Sequence, residues 1–147
     1  MSGPVRPGSD YRWEDVPVEL YKEEGNTFRD VTRQLLFGRA EGLASDLRYF
    51  EVGPGGHTTL ERHEHAHAVV VMRGRGHVLV DPEIRGIRPY DLVHVPSMTW
   101  HQFRAAAGEP LGFLCVADAG RDRPRQPSSS ELEELRRRPE VADFIRV

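Results

Sequence analysis

Hydrophobic and polar residues alternate in short runs along most of the chain up to Gly120, a pattern typical of β-strands. The runs are rich in valine, leucine and aromatic residues, and glycine, proline or charged residues separate them. The pattern predicts strands at Asp46–Val52, Thr58–His63, His67–Met72, His77–Asp81, Leu92–Val95, Gln102–Ala106 and Leu111–Ala117. Many short strands separated by turn residues indicate a double-sheet sandwich or barrel, so we expect an all-β fold.

The segment before this series of strands has a different composition. Residues 1–10 are rich in glycine, proline and serine and predict a loose arm. Val18–Gly38 contains strand-like pieces, notably Arg33–Phe37, which could pair at a sheet edge or reach a second subunit. We therefore expect an N-terminal arm with edge strands at 1–38, a barrel at 39–120, and a linker with a C-terminal helix at 121–147.

The C-terminal segment predicts a short helical tail. Residues 121–129 form a linker rich in proline, serine and arginine. Ser130 and Glu133 then have the spacing of a capping box, which marks the start of a helix. Pro139 opens a further helical turn or two that carries apolar residues. We expect this tail to pack on the outside of the barrel.

Length and charge restrict the class of protein. A chain of 147 residues can bury about two thirds of its surface in one core, which favours a single domain. The net charge of −3 argues against a nucleic-acid binder that works through bulk electrostatics. The run Arg136–Arg138 is better explained as a solvated helix face than as a phosphate site.

The sequence contains no apolar run long enough to span a membrane and no secretory segment near Met1, so we expect no membrane partner and a cytoplasmic location. Its single cysteine, Cys115, excludes an intrachain disulfide and fits a reducing compartment. Cys115 lies in a predicted strand, where a buried structural thiol is the first interpretation. A nucleophilic role would need a nearby base to form the thiolate, and the sequence indicates none.

Histidines supply the candidate chemistry. Imidazole is the commonest metal ligand among side chains. Four of the seven histidines fall in one short segment, at His57, His63, His65 and His67. Such a dense cluster, followed directly by a run of β-branched residues, suggests metal ligands carried on strands. The simpler alternative is a solvated, histidine-rich hairpin without a metal.

Geometry requires a turn within this cluster. Glu61, His63 and His67 have the same parity, but six residues of extended chain span about 20 Å. Ligands of one ion must each lie about 2 Å from it. The chain must therefore turn near Glu64–Ala66, with Glu61 and His63 at the end of one strand and His67 at the start of the next. This arrangement places His65 at the tip of the turn.

The spacing around these histidines resembles the first motif of the cupin superfamily. That motif is Gly, five residues, His-x-His, three or four residues, Glu, six residues, Gly. Here Gly55, Glu61, His63, His67 and Gly74 occupy its positions. The family's first histidine is a glutamate in this chain, and the family's glutamate is a histidine.

A second segment is similar to the second cupin motif. That motif is Gly, five residues, Pro-x-Gly, two residues, His, three residues, Asn. Here Tyr90, Pro96, Met98, His101 and Ala105 keep the spacing, while the two glycines and the asparagine are replaced. The substituted positions belong to turns and supports, so the resemblance implies the family's double-stranded β-helix, or jelly-roll barrel.

The resemblance implies one divalent metal ion per chain. The implied ligands are three imidazoles and one carboxylate, from Glu61, His63, His67 and His101. This set suits Fe, Mn, Ni, Zn or Cu and does not choose among them. Glu61 could instead pair with Arg62 or Arg73, and His65 could then take its place at the ion.

Further residues could form a substrate pocket next to the metal. Those expected to line it are Tyr49, Val69, Val71, Trp100, Phe103 and Phe113. Core packing alone would explain each of them, but together they predict an apolar cavity with the metal at its floor. Glu51 is the carboxylate that could act as a base there.

The superfamily includes dioxygenases, isomerases, lyases, cyclases and non-catalytic binding proteins, so the fold does not specify the reaction. We expect a metal-dependent oxidoreductase of the dioxygenase type that oxidises a small enolisable or aromatic substrate with O2. A metal-dependent isomerase or cyclase, and a binding protein without catalysis, are the alternatives.

The strand-like residues before the barrel also predict a homodimer, because an unpaired sheet edge is a liability that dimerisation removes. We expect Val18–Phe37 to contribute to the contact. Sedimentation at micromolar concentration should give a dimer, and truncation to residue 38 should weaken it. A monomer, or a dimer that the truncation leaves unchanged, would contradict this expectation.

Overall fold

Strands dominate the structure, a computed structural model that describes residues 3–22 and 25–147. The strands are β1 Gly8–Ser9, β2 Arg12–Trp13, β3 Glu19–Leu20, β4 Arg29–Phe37, β5 Ser45–His57, β6 His67–Gly74, β7 Gly76–Val80, β8 Glu83–Ile87, β9 Leu92–Val95, β10 His101–Ala105 and β11 Leu111–Asp118. A 3-10 turn at Arg39–Glu41 precedes β5, and helices α1 Ser129–Leu135 and α2 Pro139–Phe144 end the chain. The prediction of an all-β barrel with a short helical tail is confirmed.

Strand β5 organises the sheet because it changes partners along its length. The strand order is β8-β7-β10-β5-β11-β6-β9, and β4 also pairs with β5. The first half of β5 lies between β4 and β11, whereas its last residue, His57, pairs with Arg104 of β10. Gly55 has a φ of +73°, and a Cβ on Gly56 would lie 2.4 Å from the carbonyl oxygen of Arg29. These glycines permit the bend that curls the sheet.

The main core fills the inside of this curl. Residues that alternate along β5, such as Phe50 and Val52, point inward, as do Val71 of β6 and Leu111 of β11. The last three are completely buried. Burial of one such side chain contributes about 1.5–3 kcal/mol, so the inner face of the sheet supplies much of the stability.

A second apolar cluster joins the helical tail to the barrel. Its members are Leu60, Leu79, Trp100, Leu135, Val141, Phe144 and Ile145. Buried Gln102 reinforces this contact, because its Nε2 donates to the carbonyl oxygens of Thr58 and Arg146 and its Oε1 accepts from the Arg146 backbone N–H. The capping box of α1 consists of Ser128 and Glu131, two residues before the predicted position.

The N-terminal segment packs on the outer face of the sheet. Strands β1 and β2 form a small hairpin where the sequence predicted a loose arm, and Trp13 contacts the ring of Tyr49 edge-on. Strand β4 pairs with β5 within the same chain, so the residues near Arg33–Phe37 do cover a sheet edge.

One strand prediction was wrong, and one strand was missed. Thr58–His63 is not a strand, and within it Glu61 and Arg62 make isolated bridges, to His101 and to Arg125. Side chains at 58–61 are all buried, so this segment has no exposed face to give it the alternation of a half-buried strand. The sequence reading also missed β8, a short edge strand that carries few apolar residues.

Among the residues that the structure describes, no helix is long and apolar enough to cross a membrane.

Phe144 tests the contribution of the tail to stability. Its side chain is buried against the barrel, and the guanidinium of Arg104 lies 5.0 Å from its ring centroid. Because a large cavity would remain, Phe144→Ala should lower the free energy of unfolding by about 3 kcal/mol in urea titrations. Exposed Val147→Ala is the control and should change it by less than about 0.5 kcal/mol. Equal effects of the two substitutions would show that the tail is not part of the core.

Candidate metal centre

Three imidazoles converge at one end of the barrel. His67 is the first residue of β6 and His101 the first residue of β10, while His63 lies in the loop between β5 and β6. Backbone hydrogen bonds from Glu61 to His101 and from Met98 to His63 hold this loop in place. One donor atom from each of the three histidines lies within 4.8 Å of the other two.

Backbone carbonyls orient two of these rings. The Nδ1 of His63 lies 2.6 Å from the carbonyl oxygen of His65, and the Nδ1 of His101 lies 2.9 Å from that of Thr99. A carbonyl can only accept, so each Nδ1 carries the proton and each Nε2 presents its lone pair. The Nε2 of His63 is buried and has no hydrogen-bond partner among residues 3–22 and 25–147. A divalent metal ion would satisfy it, and the donor set therefore fits one.

Burial keeps these imidazoles neutral. Burial, with a smaller contribution from the neighbouring imidazoles, lowers the pKa of His101 to about 4 and the pKa of His67 to about 2. The pKa of His63 is also lowered, mainly by burial. Neutral imidazole is the ligating form, so the three side chains can bind metal at neutral pH without first losing a proton.

Glu61, the expected carboxylate ligand, is buried beside the histidines but engaged elsewhere. Its Oε1 accepts a hydrogen bond of 3.0 Å from the Tyr21 hydroxyl, and its Oε2 lies 3.5 Å from the Lys22 ammonium. Within the described ranges 3–22 and 25–147, the group of mutually close donor atoms contains the three histidines and not Glu61. Its role as a ligand stays a prediction.

His65 does not stand apart at the tip of the turn. Its ring is buried and stacks on that of His63, with centroids 3.7 Å apart, and its Nε2 lies 3.1 Å from the Nε2 of His67. Its Nδ1 lies 2.7 Å from a carboxylate oxygen of Asp122. The sequence did not predict that Asp122 contacts the histidines, because nothing in the 121–129 linker distinguishes it from a solvent-exposed acidic residue.

A small cavity of about 30 Å³ adjoins the histidines. It is lined by Tyr21, Phe50, Thr58, Glu61, His67, His101, Phe103, Phe113 and Cys115. Phe103 and Phe113 thus line the cavity beside the histidines, and their role in a substrate pocket stays a prediction. Val69 and Val71 belong to the apolar core that surrounds the cavity.

Three of the expected pocket residues lie elsewhere, and these expectations are corrected. Tyr49 and Glu51 alternate with inward-pointing Phe50 and therefore face the opposite side of β5. There the Tyr49 hydroxyl donates to Glu51, whose carboxylate also pairs with Arg73 at 2.8 Å, so Glu51 is not a base in the cavity. Trp100 packs under the tail instead.

One inward-facing cation was not foreseen. Arg48 lies on the same face of β5 as Phe50, with its guanidinium 4.8 Å from the Phe50 ring centroid and its Nη2 3.8 Å from the sulfur of Cys115. Within the described part of the chain, its buried Nε has no hydrogen-bond partner. Burial raises the pKa of the Cys115 thiol, and nearby Arg48 opposes that rise. Cys115 thus faces the cavity beside the kind of cation that favours a thiolate.

Removal of ligands should remove the metal. We expect roughly one divalent ion per chain in the purified protein, and His67→Ala or His101→Ala should abolish it in elemental analysis, since each deletes a lone pair that points into the site. Exposed His94→Ala should retain the ion. Full metal content in a His67→Ala, His101→Ala double variant would refute the site.

Acid should weaken metal binding and also destabilise the fold, and the pH midpoints of the two effects should differ. Because His101 ionises near pH 4 when folded, metal should be retained below the pH of about 6 at which exposed histidines would release it. The unfolded chain binds protons at the ordinary pKa of 6.5, so the unfolding free energy of the metal-free protein should fall as pH drops below 6.5. Urea titrations at pH 7 and pH 5 would measure this loss, and equal stabilities would contradict it.

Comparison with known proteins places these features in a family. Residues 48–117 match the cupin domain. The 1-methylthio-D-xylulose 5-phosphate methylsulfurylase of Rhodospirillum rubrum is 54% identical over 144 residues, which cover 97% of this chain and 92% of that protein.

Solved structures of similar proteins support the same family assignment. A cupin 2 conserved barrel domain protein from Rhodopseudomonas palustris is 50% identical, with a TM-score of 0.92 over 97% of this chain and 99% of its own. The polyketide cyclase RemF from Streptomyces resistomycificus is 25% identical, with a TM-score of 0.73 over 89% of this chain and 94% of its own. The barrel, its paired histidine segments and these relatives lead to one conclusion: the chain belongs to the cupin family.

Proposed function

We propose that this protein is a metal-dependent enzyme that removes the methylsulfanyl group from 1-methylthio-D-xylulose 5-phosphate or a closely similar methylthio ketose phosphate. The identity of 54% to the methylsulfurylase, over nearly all of both chains, supports this choice. The observation that carries it is the thiol of Cys115, which lines the same small cavity as His67 and His101.

The donor set defines how the ketone would be activated. A metal held by His63, His67 and His101 would act as a Lewis acid on the substrate carbonyl and stabilise negative charge that develops on its oxygen. The rings of Phe50, Phe103 and Phe113 exclude water from the adjoining space. This small apolar space suits a methylthio group and leaves the hydroxyl groups and phosphate of the sugar toward solvent.

Cys115 would accept the sulfur. Its thiolate attacks the sulfur of the methylthio group, a disulfide bond forms, and the bond between that sulfur and C1 breaks. The electron pair of the broken bond enters the enolate of the ketone, and C1 then takes up a proton, so that the thiol proton is in effect moved to C1. A small-molecule thiol as co-reactant would release the methylsulfanyl group by thiol–disulfide exchange and restore Cys115.

Charged residues around the cavity would assist this step. Arg48, with its Nη2 3.8 Å from the Cys115 sulfur, favours the thiolate. The Oε2 of Glu61 is buried and accepts no hydrogen bond from the residues that the structure describes, and it can hold a proton in transit to C1. Lys22, 3.5 Å from that oxygen and partly exposed, offers a cation to the phosphate.

Oxygen-dependent oxidation, the reaction expected from the sequence, is the second candidate. The apolar lining beside the imidazoles favours it, because such a lining would also admit O2. A homodimer and a cytoplasmic location likewise remain predictions.

Cys115→Ser should abolish product formation from 1-methylthio-D-xylulose 5-phosphate, with a loss of at least about 10³-fold, because the nucleophile is replaced by one that forms no disulfide. The assay is mass spectrometry of the 1-deoxy ketose phosphate and of the mixed disulfide, with a small thiol present and O2 excluded.

Metal content and thermal melting of Cys115→Ser serve as controls, since the thiol lies beside the histidines but is not expected to bind the ion. If turnover by the wild type requires O2, the hypothesis of oxygen-dependent oxidation would be favoured. Full activity of Cys115→Ser would remove the thiol from the mechanism and leave only metal-assisted chemistry.

A further inference from the structure

One wall of the cavity beside the histidines comes from outside the barrel strands. Of its aromatic lining residues, Phe50, Phe103 and Phe113 lie on β5, β10 and β11, whereas Tyr21 directly follows the short strand β3. The Tyr21 backbone N–H donates to the carbonyl oxygen of Val31 in β4, at 3.2 Å, and this bond attaches the residue to the sheet. The N-terminal segment therefore contributes a side chain to the cavity.

The position of the Tyr21 ring is fixed on several sides. Its ring meets those of Phe28 and Phe50 edge to face, with centroid distances of 5.2 and 5.9 Å. Its hydroxyl donates to the Oε1 of Glu61 at 3.0 Å. A ring that is packed against two others and hydrogen-bonded at its tip forms a firm boundary, unlike a flexible side chain at the surface.

The volume of the cavity limits the group that fits beside the thiol. A space of about 10–15 Å³ holds about one water-sized group, so the cavity of about 30 Å³ has room for roughly two. A methylthio group has two non-hydrogen atoms, the sulfur and the methyl carbon, and would fill this space. A longer alkyl chain would have to displace the rings around it.

The opposite side of the same cavity can receive a polar group. Glu61 is only 7% exposed and lines the cavity, and its Oε2 accepts no hydrogen bond within residues 3–22 and 25–147. Buried acceptors are normally satisfied, and a hydroxyl group of a ligand would satisfy this one. The cavity therefore suits a ligand that has a short apolar end next to hydroxyl groups.

We propose that Tyr21 is a specificity-determining residue, whose ring restricts the alkyl group on the sulfur that reaches Cys115 to methyl. The ring sets this limit, and the hydroxyl does not contribute to it. The proposal rests on the proposed function in one respect, which is that Cys115 accepts a sulfur. It adds that ethylthio and longer alkylthio groups are excluded.

Methyl, ethyl and propyl methanethiosulfonate test this limit without the ketose phosphate. The Cys115 thiolate attacks the sulfur that carries the alkyl group, a disulfide bond forms, and methanesulfinate leaves with the electron pair of the broken S–S bond. Because Cys115 is the single cysteine of the chain, the intact mass of the full-length protein follows its modification directly. With rates expressed relative to glutathione, the ethyl reagent should modify the wild type at least about 10-fold more slowly than the methyl reagent, and the propyl reagent more slowly still.

Variants assign the limit to the ring. Tyr21→Leu should reduce the ratio of methyl to ethyl rates to less than about threefold, because the smaller side chain leaves room for a further methylene. Tyr21→Phe keeps the ring without the hydroxyl and should retain the wild-type ratio. Tyr90→Leu, the same substitution at a position that is 91% exposed, is the matched control and should also retain it.

Melting curves show whether each variant is folded. If Tyr21→Leu does not fold, Phe28→Leu takes its place, since it removes a ring that supports Tyr21 but does not itself line the cavity, and it should lower the ratio. The proposal is overturned if the wild type reacts equally with all three reagents, if the methyl reagent does not modify Cys115, or if the folded variant keeps the wild-type ratio.

Turnover of methylthio and ethylthio ketose phosphates is assayed separately. Methyl-selective modification of Cys115 without any turnover would reject the proposed substrate and leave the size limit standing. Equal turnover of the two ketose phosphates would reject the size limit and leave the proposed function standing.

Discussion

Two backbone hydrogen bonds between Glu61 and His101, of 3.2 and 3.0 Å, are the contact on which the site depends. They attach the loop after β5 to the start of β10, at the end of the barrel where β6 also begins. The Met98 backbone N–H also donates to the carbonyl oxygen of His63, at 2.7 Å, and holds that residue near His67 and His101. The curl of β5 and these backbone hydrogen bonds together bring three separate segments into one donor set.

The close packing of the histidines is unfavourable by itself, and a bound metal ion would stabilise it. Several imidazoles are packed face to face and edge to face in a buried space, where burial and mutual repulsion keep them neutral. The buried Nε2 of His63 has no partner within the described part of the chain. A bound cation would satisfy that atom and remove the repulsion among the lone pairs, so metal binding and folding should stabilise each other.

The cavity combines two kinds of surface. One wall is a stack of phenylalanine rings, with Phe50 and Phe103 on either side of Phe113 at centroid distances of 5.6 and 4.4 Å. The other wall carries the imidazoles, the carboxylate of Glu61 and the thiol of Cys115. Polar chemistry next to a dry apolar surface suits a substrate that has a small hydrophobic group beside a carbonyl, since charge that develops there is poorly screened by water.

The sequence alone determined the barrel and three of its metal-binding candidates, because the spacing of His63, His67 and His101 is tied to where strands begin and turns occur. Tertiary structure decided which face of the sheet each side chain takes. Phe50 and Glu51 are adjacent in β5 and therefore point to opposite faces. The sequence alternation does not show which of the two points inward, because the residues that flank them are apolar or amphipathic. Tertiary structure also decided the surroundings of His65 and Cys115. Asp122 contacts His65 from 57 residues away in the chain, and Arg48 contacts Cys115 from 67 residues away. Local sequence patterns carry no information about contacts over such separations.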